Sequence, residues 1–87
     1  MELIKCFKAL SDNTRLRLLQ VLQQYELNVN EIVLVVDTIQ SGVSRHLKIL
    51  LDSGLLTSRR DGSFTYYFAA KNDTTISLIR LLEKNLD

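Results

Sequence analysis

Residues 39–52, IQSGVSRHLKILLD, constrain the fold more than any other stretch, because their side chains sort onto two opposite faces of a helix. Val43, Leu47, Leu50 and Leu51 recur at i, i+4, i+7 and i+8, the spacing of one apolar stripe. Gln40, Ser41, Ser44, Arg45 and Lys48 recur at i, i+1, i+4, i+5 and i+8 and give the other side only hydrogen-bonding and cationic groups. Ser53-Gly54 ends the helix, with Gly54 suited to a left-handed cap. The period then falls from 3.6 to 2. Residues 55–60 and 64–69 alternate as strands, and Asp61-Gly62 between them is a hairpin signal, since a type I′ turn needs positive φ.

The flanking segments are helical. In residues 2–10, Leu3, Phe7 and Leu10 recur at helical spacing, with Ile4 alongside. Ser11 or Asp12 caps a second helix that runs to about Gln24 and carries Leu16, Leu18, Leu19, Val21 and Leu22. Asn28 caps a third, with Glu31 three residues on, as in a capping box. The run Ile32-Val33-Leu34-Val35-Val36 has the propensity of a buried strand. The cap before it and the helix after it assign it as helix. Asn72-Asp73 opens a last helix to about Leu86, whose Ile76, Leu78, Ile79, Leu81, Leu82 and Leu86 cover more than one face. A helix with two apolar faces needs two partners, its own core and a second subunit. The expected architecture is mainly α (α+β): a winged helix-turn-helix with a two-stranded β-hairpin wing and a C-terminal dimerisation helix, as a single domain over residues 1–87.

At 87 residues the core is thin, because a domain this small buries only about 60–65% of the surface its unfolded chain exposes. Dimerisation is a common remedy. The chain is 46% hydrophobic and 24% charged and has no Pro, the profile of a globular protein. No apolar run reaches the roughly 18–20 residues of a membrane span, and no secretory signal pattern opens the chain, so a cytoplasmic protein without membrane partners is expected. The net charge of +1 hides an asymmetry. Residues 38–71 hold Arg45, Lys48, Arg59, Arg60 and Lys71 against Asp52 and Asp61, a local charge of +3 beside His46. With one His, one Cys and no glycine-rich phosphate loop, the chain offers no nucleophile–base–orienter set, and no enzyme is expected.

In FKALSDNTRLRLLQVL (7–22), ELNVNEIV (26–33) and QSGVSRHLKILLDSGLLTSRRDGSFTYYFAA (40–70) the chain resembles the ArsR/SmtB family of bacterial transcriptional repressors. Ser44-Arg45-His46-Leu47, Leu50 and Ser53-Gly54-Leu55 are the most specific part, while Asn13 stands where Pro is usual. The resemblance covers essentially the whole chain. It implies a homodimer held by the first and last helices, with Leu3, Ile4, Phe7, Ile76, Ile79 and Leu82 in the interface. It also implies a two-fold symmetric DNA operator and repression relieved by a ligand, often a metal ion. Asn28 and Asn30 occupy the family's two metal-binding Cys positions, and Asn offers no thiolate to a soft ion. The last helix lacks the His and carboxylate pattern of other members. No metal site and no cofactor are therefore expected. With its last helix placed at the end of the sequence, little room for an appended sensory site is expected.

The polar face of residues 39–52 suits double-stranded DNA: Gln40 matches adenine, Arg45 matches guanine, and Ser41 and Ser44 serve either, with Lys48 alongside. The bland alternative is a solvated helix face. Arg59 and Arg60 point to opposite sides of their strand, so at least one is expected at DNA; otherwise they are edge-strand charges that block aggregation. His46, at the border of the two faces, is read as a tie to a neighbouring helix. Cys6 is either a small core residue or a redox switch pairing with the partner's Cys6. A protein partner remains the competing function, kept open by Tyr66, Tyr67 and Phe68 on the second wing strand, one of which at least must face outward.

Overall fold

The computed structural model describes residues 2–36 and 40–85 of the chain. The side chains of Gln40 and Ser41, and Leu86, which was expected in the last helix, lie outside the described residues. The elements are α1 (Leu3–Leu10), α2 (Asn13–Leu22), α3 (Val29–Val36), α4 (Gln40–Asp52), β1 (Leu56–Asp61), β2 (Phe64–Ala69) and α5 (Asp73–Asn85). Among the described residues no helix is long and apolar enough to cross a membrane.

Three of the helices, α2, α3 and α5, begin where a side chain takes up a free backbone N–H. Asp12 accepts from the backbone N–H of Arg15 at 3.0 Å, making it rather than Ser11 the cap of α2. Asn28 and Glu31 form the full reciprocal box: Asn28 Oδ1 accepts from the Glu31 N–H at 3.0 Å, and Glu31 Oε1 from the Asn28 N–H at 2.9 Å. Asn72 Oδ1 accepts from the Thr75 N–H at 2.8 Å and opens α5. The strand-like run in α3 is settled by period. A strand would bury Ile32, Leu34 and Val36 together; here Ile32 and Val36 are buried and Leu34 is 84% exposed.

Two boundaries differ from expectation. α2 stops at Leu22, because the chain turns back there and Leu27 pairs with Tyr67, N–H to carbonyl in both directions at 3.2 and 2.8 Å. The second wing strand thus lies between β1 and a one-residue third strand. β1 also continues through Asp61, which pairs with Phe64, so the turn residues are Gly62 and Ser63 rather than Asp61 and Gly62. Gly62 has φ 64°, which suits the first central position of a tight hairpin.

The core joins all the helices to the base of the wing. Leu18, Leu19 and Leu22 of α2 meet Ile32 of α3, Val43, Leu47 and Leu50 of α4, and Leu55 ahead of β1, all essentially without solvent contact. Each such aliphatic side chain contributes about 1.5–3 kcal/mol by its burial.

Candidate nucleic-acid interface

α4 is held by its apolar stripe and by its C-terminal turn. Val43, Leu47 and Leu50 are fully buried. Gly54 takes φ 82°, the Leu55 N–H donates to the Leu50 carbonyl at 3.1 Å, and the Gly54 N–H to that of Leu51 at 3.0 Å, a Schellman closure. The same turn is gripped from outside. Cys6 Sγ of α1 lies 3.5 Å from the Ser53 carbonyl oxygen, and Asn72 Nδ2 and Thr75 Oγ1 of α5 donate to the Gly54 carbonyl at 3.2 and 3.5 Å.

The other side of α4 faces solvent. Ser44, Arg45 and Lys48 are exposed together there. Lys48 makes a 3.5 Å surface pair with Asp52 one turn on, a contact that contributes little in water. Among the described residues no carboxylate lies within ion-pair distance of Arg45. His46, at the edge of this face, has its side chain only 13% exposed. Its Nδ1 takes a 3.1 Å hydrogen bond from the Arg15 guanidinium, and Asp12 Oδ2 lies 4.0 Å away. This is the tie to a neighbouring helix expected of His46. Arg15 itself carried no signal in the sequence beyond lying on α2.

The wing separates its two arginines. Arg59 Nε donates to Glu26 Oε1 at 2.6 Å, its guanidinium lies 3.8 Å from Asp61 and 4.9 Å from the centre of the Tyr66 ring, and Phe64 adjoins that ring in a tilted arrangement. The hydrogen bond to Glu26 holds the Arg59 pKa above its ordinary value. Arg59 is thus engaged within the chain, anchoring the wing to the α2–α3 loop. Arg60 points to the opposite side and is exposed, with no ion-pair partner among the described residues. Of the aromatic triplet, Tyr66 sits under Arg59, while Tyr67 packs on the core.

The opposite end of the molecule carries an apolar face. Leu3, Ile4 and Phe7 of α1 and Ile76 and Leu81 of α5 are 39–63% exposed, and Leu3, Phe7 and Leu81 line one groove between the two helices. The sequence had placed Ile79 and Leu82 here. Ile79 is instead buried in the chain's own core and Leu82 packs against it. The reason is Thr75, fully buried by its bond to Gly54: it starts an inward series Thr75, Leu78, Ile79, Leu82 at i, i+3, i+4, i+7, which leaves Leu81 outward. Counting Thr75 as an inward position would have found this. Of the two readings of Cys6, the geometry favours the small core residue over the switch. Its side chain is fully buried on the inward side of α1, whereas a disulfide to the partner's Cys6 needs an accessible thiolate. Asn28, at a position expected of a metal ligand, is spent as a helix cap. Among the described residues no three His, Cys, Asp or Glu side chains cluster as a metal would require.

A helix with a buried stripe and a polar outer face, followed by a twisted hairpin and preceded by a shorter helix packed on it, defines a winged helix-turn-helix protein. The model of the bacterial regulatory proteins of the arsR family matches residues 12–58, and the chain belongs to that family. The arsenical resistance operon repressor of Escherichia coli (strain K12) is 40% identical over 65 residues, covering 74% of this chain and 56% of that protein. The chain thus spans about half the length of several curated relatives it matches. Among solved structures, HlyU from Vibrio cholerae N16961 superposes with a TM-score of 0.87 at 28% identity, covering 95% of this chain and 89% of that one. The homodimeric winged helix-turn-helix DNA-binding domain of Mb0332 from Mycobacterium bovis gives 0.84 at 28% identity, covering 98% and 82%.

Proposed function

We propose that this chain is a homodimeric transcriptional repressor that binds a two-fold symmetric site in double-stranded DNA and acts by occlusion, without catalysis. The observation that carries the reading is the outer face of α4, where Ser44, Arg45 and Lys48 stand exposed on a helix whose inner side is locked into the core. Laid in the major groove, Arg45 reads guanine O6 and N7, Ser44 a neighbouring base edge or phosphate, and Lys48 a phosphate. Gln40 and Ser41 precede them at the N-terminal end of the helix, the end that reaches base edges in this class of protein. Arg60 supplies the wing contact to phosphate or minor groove; Arg59 holds the wing in place. The groove between α1 and α5 is the dimer face, with Leu3, Ile4, Phe7, Ile76 and Leu81 in contact across it. That Mb0332 is described as homodimeric and DNA-binding supports both halves of the reading.

Selection from a random pool of duplexes tests it: the wild-type protein enriches a palindromic consensus, and Arg45→Ala relaxes one position of each half-site. Enrichment of no consensus turns the search to a protein partner. The relatives described as arsenical and cadmium resistance regulators suggest a metal inducer. We propose none here, since both Asn28 and Asn30 lack a thiolate and the sole Cys is buried. Submicromolar zinc binding in calorimetry would contradict that.

A further inference from the structure

We infer that Arg15 and His46 form a positioning bracket that sets the tilt of α4 relative to α1, and with it the spacing of the two reading helices in the dimer. The inference rests on the DNA-binding reading above and deepens it.

Among the described residues, polar contacts fix α4 to its surroundings at two heights. At its C-terminal turn, the carbonyls of Ser53 and Gly54 are held by Cys6 of α1 and by Asn72 and Thr75 of α5. Those carbonyls act as a fulcrum tied to both helices of the dimer face. The second height is His46. Arg15 reaches both ways from α2: its Nε donates to the Ala9 carbonyl oxygen at the end of α1, and its other arm donates to His46 Nδ1 at 3.1 Å. Asp12 faces the same ring at 4.0 Å and accepts from the Arg15 backbone N–H. One guanidinium therefore joins the dimer helix to the reading helix.

The lever is long enough to matter. Ser44 lies nine residues from Ser53, roughly 13 Å along the axis, so a tilt of about 10° at the fulcrum displaces it by roughly 2 Å. A hydrogen bond to a base edge tolerates only a few tenths of an ångström. The two-fold axis applies the displacement to both half-sites with opposite sense, so the error appears as changed half-site spacing.

Arginine is a donor only, so in this contact Nδ1 of His46 is the acceptor.

The test uses duplexes obtained by selection with the wild-type protein, and versions in which the half-sites are moved together or apart by one base pair. Wild type discriminates against the altered spacings. His46→Asn, whose Oδ1 replaces the accepting Nδ1, keeps that discrimination; His46→Leu and Arg15→Met reduce it at least fivefold while remaining folded dimers by circular dichroism and sedimentation. His46→Leu and Arg15→Met dimers that keep the wild-type spacing preference overturn the bracket. If either variant fails to fold, nitrogen-15 correlation spectra of the wild-type imidazole decide: the proton on Nε2 supports the bracket, and a proton on Nδ1 overturns it. Failure of the underlying DNA reading looks different, because wild type itself then prefers no duplex.

Discussion

Asp12 carries three duties on one carboxylate: it caps α2, faces the Arg15 guanidinium and stands beside His46. The backbone hydrogen bond from Arg15 is the main reason its pKa lies below the ordinary carboxylate value; partial desolvation opposes this, and the charge of Arg15 lowers it further. Because the folded pKa is the lower one, the stabilisation is present above the unfolded value near about 4 and is lost as pH falls through the folded value. Asp12→Asn keeps a capping side chain but cannot ionise. The stability advantage of wild type over Asp12→Asn in urea unfolding should therefore shrink from pH 6 to pH 3; an advantage constant with pH would rule out the ionised carboxylate as its source. The two wing arginines diverge at the same scale. Arg60→Ala should weaken binding to every duplex alike and lower the salt slope by about 1, as loss of one phosphate contact does. Arg59→Ala should leave that slope nearly unchanged but loosen the wing, seen as faster amide exchange at Tyr67. Equal salt slopes for the two variants would show that the intrachain pair with Glu26 does not decide which arginine faces DNA.

At the scale of elements, legibility followed how local each cause is. The caps at Asp12, Asn28 and Asn72 and the left-handed Gly54 are decided within a few residues, and the sequence displayed them. The helical character of α3 was legible through its capping box, against the propensity of its apolar run. What escaped depends on contacts distant in the chain. The Leu27–Tyr67 pairing joins residues forty apart and cuts α2 short. The 33-residue span between Glu26 and Arg59 hid which arginine the wing consumes. Thr75 reads as polar, yet its bond to the Gly54 carbonyl buries it, and that rotates the apparent faces of α5 so that Leu81 rather than Ile79 points outward. The corrected face makes its own prediction. Phe7→Glu and Leu81→Glu each place a charge on the exposed apolar groove and should convert the dimer to folded monomers in sedimentation velocity, whereas conversion by Ile4→Ala alone is not expected. Dimers that survive both glutamates would place the interface elsewhere.

Over the whole molecule, the polar outer face of α4 and the apolar face of α1 and α5 are tied to one another through the Ser53-Gly54 turn. In the proposed dimer a second subunit would cover the apolar side that so thin a core leaves exposed. The charge proposed to meet DNA is local rather than global: the chain as a whole is +1, and the excess of positive charge lies in residues 38–71, from α4 through the wing. The measurement that tests this account most directly is a fluorescence-anisotropy titration of the selected duplex and a scrambled duplex across a salt series. A dimer that reads DNA through α4 should bind the selected duplex tightly and the scrambled one far more weakly, with affinity for both falling steeply and log-linearly with salt. Equal, weak binding to the two duplexes at moderate salt would contradict it.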